Sequence, residues 1–103
     1  NPPYIPSGVI DTLSPEVRAE PRMALDGGPD GLDPTRILLK QANGLLAEHG
    51  TVLIEIYSDS ARDAKEIAGE AFPGTPVNIH DDLLGLARVL EVGPLSGRSA
   101  GID

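Results

Sequence analysis

Thr51-Val52-Leu53-Ile54-Glu55-Ile56-Tyr57 is the stretch whose reading decides the fold. It is β-branched and largely apolar, as expected of a strand buried on both faces. Just after it, Ser58 or Ser60 stands where a helix cap is needed. Ala61, Ala64, Ile67, Ala68 and Ala71 then recur at helical spacing as a narrow apolar stripe, which Pro73 and Gly74 end. Pro76–His80 reads as a short strand, Asp81–Gly85 as a turn and Ala87–Val92 as a last strand. Upstream, Asp33 predicts an N-cap and Pro34 the first helical position. Ile37, Leu38, Ala42, Leu45 and Leu46 supply the apolar positions of that helix, and Gly50 its end. The order from Asp33 onward is α, β, α, β, β, an α/β pattern without internal repeat.

The first 33 residues read differently. Prolines at 2, 3, 6, 15, 21 and 29 and glycines at 8, 27, 28 and 31 exclude a regular element, so a long loop of turns is expected. A loop longer than about 12–15 residues inside a compact domain is usually functional. At its start stands Asn1-Pro2-Pro3-Tyr4. Consecutive prolines have no N–H and a fixed φ, which makes a stiff segment that cannot join a strand ladder. The Pro2 carbonyl is then free to accept from a ligand, with the Asn1 side chain as a second acceptor beside it. Two neighbouring acceptors can hold a planar NH₂ group, and Tyr4 can cover its face.

Composition narrows the field. The 103 residues suffice for one small domain, and with only Tyr4, Tyr57 and Phe72 as aromatics the core must be aliphatic. A net charge of −8 disfavours non-specific binding to phosphate backbones, which depends on Lys and Arg. The chain has no cysteine, so it has neither disulfides nor thiolate chemistry, consistent with a reducing compartment. No apolar run is long enough for a membrane span, and a soluble cytoplasmic protein is expected.

Other motifs have plainer readings. Asp26-Gly27-Gly28-Pro29-Asp30-Gly31 resembles a calcium loop, but its ligand spacing is wrong and Ile37 stands where the bidentate Glu belongs. A turn leading into a helix is the better reading. His80-Asp81-Asp82 reads as a strand end rather than a metal site, and His49 as a residue near a helix C-terminus. Ser58 and Ser60 lack a His-Asp partner pattern, which argues against a hydrolase. Glu16, Arg18 and Glu20 either steer a substrate or pin the loop. No metal-binding residue is expected.

Several blocks occur together in order and spacing: Asn1-Pro2-Pro3-Tyr4-Ile5, Leu13-Ser14-Pro15-Glu16-Val17, Glu20-Pro21, Ala24-Leu25 and Gly28-Pro29-Asp30-Gly31-Leu32-Asp33. With them the chain resembles the release-factor glutamine methyltransferases (the HemK/PrmC family) among class I S-adenosylmethionine-dependent methyltransferases. Ile54-Glu55-Ile56 and Asp82-Leu83-Leu84-Gly85-Leu86-Ala87-Arg88-Val89 extend the likeness over residues 1–92. The resemblance implies the C-terminal half of a Rossmann-like sheet, with three strands and two helices, whose last strand runs antiparallel between its two predecessors. It divides the chain into a substrate-binding loop region (1–33), a partial methyltransferase domain (34–92) and a flexible tail (93–103).

It also implies methyl transfer from S-adenosylmethionine to the glutamine of the Gly-Gly-Gln loop of peptide chain release factors. Asn1 and the Pro2 carbonyl take the catalytic part by accepting from the glutamine NH₂. Pro3, Tyr4 and Glu20 join them in binding substrate. The cofactor site falls largely outside the chain, so no cofactor-binding residue is assigned and the chain is expected to be inactive alone. Tyr57-Ser58-Asp59-Ser60 departs from the glycine and glutamine usual after the Glu-Ile strand. Two alternatives stand beside this: half of a methyltransferase for adenine or guanine exocyclic amines, and a non-catalytic truncated binding module. The open edge of the strand at Thr51–Tyr57 predicts a homodimer, a swapped dimer or a partly molten chain.

Overall fold

A computed structural model describes residues 1–95. Strands β1 (Val52–Glu55), β2 (Val77–Asp81) and β3 (Ala87–Val92) form one sheet in the order β1-β3-β2, with β3 antiparallel to both neighbours. This is the order and polarity that the family resemblance implies. The α/β architecture is completed by the helices α1 (Pro15–Arg18), α2 (Asp33–Leu45) and α3 (Ala61–Ala71) and by short 3₁₀ turns.

The core is built from cross-strand rows. Val52, Val92 and Val77 stand abreast, as do Ile54, Leu90 and Ile79. These residues, with Ile56, pack against Leu39 of α2, Ala64 and Ala68 of α3, and Phe72. The cluster is aliphatic apart from Phe72. The opposite face is open: Leu53 is 65% exposed, and Asn78 and His80 are exposed with it. The expected burial of β1 on both faces is therefore corrected. In this structure helices cover only one side of the sheet, so the alternation of the pleat sends Leu53 outward.

Helix α2 corrects the expected apolar face. Thr35, Leu39, Ala42 and Leu46 turn inward, whereas Ile37 is 58% and Leu45 84% exposed. Apolar residues occupy more than one stripe of this segment, and the position of α3 selects between them. The helix starts at Asp33 without a side-chain cap and ends at Leu45, short of Gly50; His49 follows at φ +64°. Ser60 precedes α3 but makes no side-chain cap; its Oγ donates to the Asp30 carbonyl (3.1 Å). The Ala61/Ala64/Ile67/Ala68/Ala71 stripe faces the core as expected.

The predicted flexible tail also needs correction at its start. Leu95 is a core residue at 2% exposure; its N–H donates to the Gly50 carbonyl and its own carbonyl accepts from His49 N–H. The rest of that tail, residues 96–103, lies outside the described residues. Among the described residues no helix is long and apolar enough to cross a membrane.

Candidate functional site

The chain from Asn1 to Asp33 doubles back on itself. Ile5 N–H donates to the Leu25 carbonyl (2.9 Å) and its carbonyl accepts from Gly27 N–H (2.8 Å), forming an isolated parallel bridge between Ile5 and Asp26. Ser7 N–H donates to the Gly28 carbonyl, and Asp33 N–H to that of Gly27. Two glycines permit this closeness. A Cβ on Gly27 would lie 2.6 Å from the Gly31 carbonyl oxygen and 2.8 Å from Tyr4 Cα, and one on Gly31 (φ +79°) would collide with the Tyr4 carbonyl oxygen.

Carboxylates hold the rest. Asp26 accepts from Ser7 Oγ, Gly28 N–H (2.9 Å) and Arg22 Nε (3.0 Å). The Ser7 hydroxyl first, then the Gly28 amide, holds the Asp26 carboxyl below its ordinary range. Asp30 accepts from Leu32 N–H and the Arg36 guanidinium, and Arg36 is the main cause of its lowered pKa. The Asp26–Gly31 motif is thus a self-satisfied turn backing Tyr4. Arg18 likewise pins the loop, donating from Nε to the Leu13 carbonyl (3.0 Å).

In front of this backing lies a cavity of about 460 Å³, walled by Asn1, Pro2, Pro3, Tyr4 and Glu20 together with Ile5, Val17, Ala24, Leu25 and Glu55. All five residues singled out from the sequence therefore line one space. Neither the Asn1 side chain nor the Pro2 carbonyl is engaged by another described residue. Tyr4, in contrast, is fixed: its Oη donates to Glu55 Oε2 (2.7 Å), across 51 positions of sequence. Burial first, and then the bond to Glu55, pushes the Tyr4 phenol pKa up, opposed by the positive charge of Arg88. The Asn1 side chain, the Pro2 carbonyl and the Tyr4 ring thus belong to residues lining one cavity, and of these the ring is tethered to the sheet.

Glu55 was not among the residues singled out. Its signal was available as the one acid inside the apolar run Val52–Tyr57. His80, once weighed as a metal ligand, instead contacts Glu91 Oε1 through Nε2 at 2.8 Å. Among the described residues no group of three His, Cys, Asp or Glu side chains is placed to hold a metal ion.

An α/β sheet with a cavity beside an Asn-Pro-Pro-Tyr segment suits a methyltransferase, and the sequence comparisons agree on that class. More particularly, the chain is homologous to a segment of proteins named release factor glutamine methyltransferase. The one from Rhodospirillum rubrum is 48% identical over 103 aligned residues, covering 92% of this chain and 31% of that protein. The one from Moorella thermoacetica is 53% identical over 68 residues, covering 66% of this chain and 24% of its own length. A protein named ribosomal protein uL3 glutamine methyltransferase, from Bradyrhizobium diazoefficiens, is 42% identical over 77 residues, covering 75% of this chain and 23% of that protein. The chain spans about a quarter to a third of the length of these relatives. No family model matches it.

Proposed function

We propose that the chain is the substrate-binding part of an S-adenosylmethionine-dependent protein-glutamine N-methyltransferase, and that its substrate is the glutamine of the Gly-Gly-Gln loop of peptide chain release factors. The observation that carries this reading is the gathering of Asn1, Pro2, Pro3, Tyr4 and Glu20 around one cavity. In it the Asn1 side chain and the Pro2 carbonyl accept the two N–H bonds of the glutamine amide. Pro3 stiffens the wall and Tyr4 packs on the amide plane.

An amide nitrogen is a weak nucleophile because its lone pair is delocalised. Holding both N–H bonds lets the nitrogen pyramidalise as positive charge develops on it, which is positioning plus electrostatic stabilisation. S-adenosylmethionine supplies an electrophilic methyl group when bound. The described residues do not fit it through a glycine-rich turn, because the one present, Gly27–Gly31, is pressed against Tyr4 and Asp33. In this reading donor-side steps fall to residues other than that turn, and the chain alone is expected to be inactive.

In this reading 1–33 is the substrate loop region and 34–92 a partial Rossmann-like methyltransferase domain acting in the cytoplasm. The net charge of −8 disfavours the alternative, methylation of adenine or guanine exocyclic amines. The open edge of β1 makes a homodimer or swapped dimer of the isolated chain the expected state, to be read by sedimentation. A second protein substrate, a glutamine of ribosomal protein uL3, is favoured by the name of the Bradyrhizobium relative.

The test is calorimetric titration of peptides into the chain. A Gly-Gly-Gln peptide binds and its Gly-Gly-Glu counterpart, which has acceptors where the site needs donors, does not. Equal binding of the two overturns the reading. A uL3 peptide bound more tightly than Gly-Gly-Gln moves it to the second substrate.

A further inference from the structure

We propose that Glu55 is the positioning residue of this cavity, acting on the substrate amide by holding the Tyr4 ring in place. The inference rests on the amide-binding reading above and adds to it a residue that the Asn-Pro-Pro-Tyr segment cannot supply for itself.

The two partners differ in how firmly they are held. Glu55 is part of β1, paired with Val89 of β3, and both its neighbours Ile54 and Ile56 are buried in the core. Tyr4 precedes the single bridge at Ile5, and no backbone hydrogen bond to its own N–H or carbonyl is formed among the described residues. Prolines on its N-terminal side stiffen the backbone but leave the tyrosine side-chain torsions free. The 2.7 Å bond from Oη to Glu55 Oε2 removes that freedom by tethering the tip of the ring to the sheet. A ring tethered at both ends presents a fixed face to the cavity that Glu55 and Tyr4 both line.

The surroundings keep Glu55 available for this task. The register shift at His80/Asp81 makes Arg88 the extra residue of β3, and Arg88 Nε donates to Asp82 Oδ2 (2.9 Å). Arg88, whose charge acts on both Tyr4 and Glu55, is thus tied to the hairpin turn, and Glu55 Oε2 remains with the phenol. A bulge that redirects one side chain next to a functional site is a common device in sheets. An acid that served only to solvate the open face of the sheet would resemble exposed His80, two strands away in the same row.

A double-mutant cycle on the 103-residue chain tests this, with Gly-Gly-Gln peptide affinity read by NMR titration and Tyr4 ring signals followed in parallel. Glu55→Leu and Tyr4→Phe each weaken binding about tenfold, as loss of one charge-assisted hydrogen bond does. The double variant is no weaker than either single one. Glu55→Gln, whose amide oxygen still accepts from the phenol, binds nearly as the unmodified chain does. In the free protein, Glu55→Leu lowers the Tyr4 phenol pKa and leaves amide exchange at Leu90 unchanged.

Additive losses, near a hundredfold in the double variant, overturn the proposal by showing that Glu55 meets the ligand directly. Unchanged binding in Glu55→Leu, while Tyr4→Ala abolishes it, overturns the proposal and leaves the amide-binding reading standing. If even the unmodified chain binds no peptide, that reading fails and the role of Glu55 falls with it.

Discussion

The loop of residues 1–33 and the body of residues 34–95 are held by different forces. The body is a hydrophobic construction in which rows such as Ile54–Leu90–Ile79 pack against Leu39, Ala64 and Ala68. The loop contributes Leu32 to that cluster and buries Ile10 and Leu25 apart from it. Otherwise it is held by backbone bonds across Ile5–Asp26, by two satisfied aspartates and by glycines in close approach. Burial is non-directional, so the body tolerates small shifts, whereas hydrogen bonds and close approach fix the loop atom by atom. A cavity that must place two acceptors and a ring is accordingly built from the loop, and braced on the body through Glu55.

The largest expected effect breaks the body. Leu90→Ala empties a fully buried position in the central strand and costs about 2–5 kcal/mol, read as a lowered midpoint in chemical denaturation. Loop and sheet signals should be lost together, because the loop buries only Ile10 and Leu25 apart from the main cluster.

Gly31→Ala sharpens the contrast. It places a Cβ against the Tyr4 carbonyl at φ +79° and costs about 1–3 kcal/mol, spent locally. Hydrogen exchange should accelerate at Ile5 and Gly27 while Leu90 stays protected. Equal loss at all three sites would show that the loop and body unfold as one unit.

Acid separates the two regions more gently. Asp26 and Asp30 have folded-state pKa values below their ordinary value, so they stabilise the loop above that value and cease to as pH falls through the lowered ones. Below about pH 4 the Gly28 and Leu32 amides should lose protection before the strands do. In the body, the Asp82 turn should follow the loop, since Arg88 first, then the Leu86 amide, lowers its carboxyl in the same way.

The smallest effect has the opposite sign. Thr35 Oγ1 is buried without a hydrogen-bond partner, so Thr35→Val, which keeps the shape and removes the hydroxyl, should stabilise the body by about 1 kcal/mol in thermal denaturation.

Much of this was legible in the sequence because the signals are local. The apolar run at Thr51–Tyr57, the alanine stripe of α3 and the turn read at Asp81–Gly85, which forms at Asp82–Gly85, each reflect a period or a turn residue that neighbours cannot disguise. Asn1, Pro2, Pro3 and Tyr4 were identifiable by residue type and Glu20 only through the family resemblance; the structure places all five around one cavity. The inward face of α2 was not legible, because Ile37 and Leu45 are as apolar as Leu39 and Leu46 and only the position of α3 separates them. The cap expected at Ser58 or Ser60 does not form, and the Ser60 hydroxyl instead donates to the Asp30 carbonyl, 30 residues away, a contact no local pattern announces.

By itself, then, the sequence determined the order of helices and strands from Asp33 onward, which follows from neighbours along the chain. The antiparallel last strand was implied by the family resemblance, and the short helix α1 at Pro15–Arg18 was not expected. Tertiary structure alone decided which face of β1 is covered, that Leu95 completes the core, and that Glu55 meets Tyr4. Those outcomes depend on residues far apart in sequence arriving at one place, and no local period encodes such a meeting.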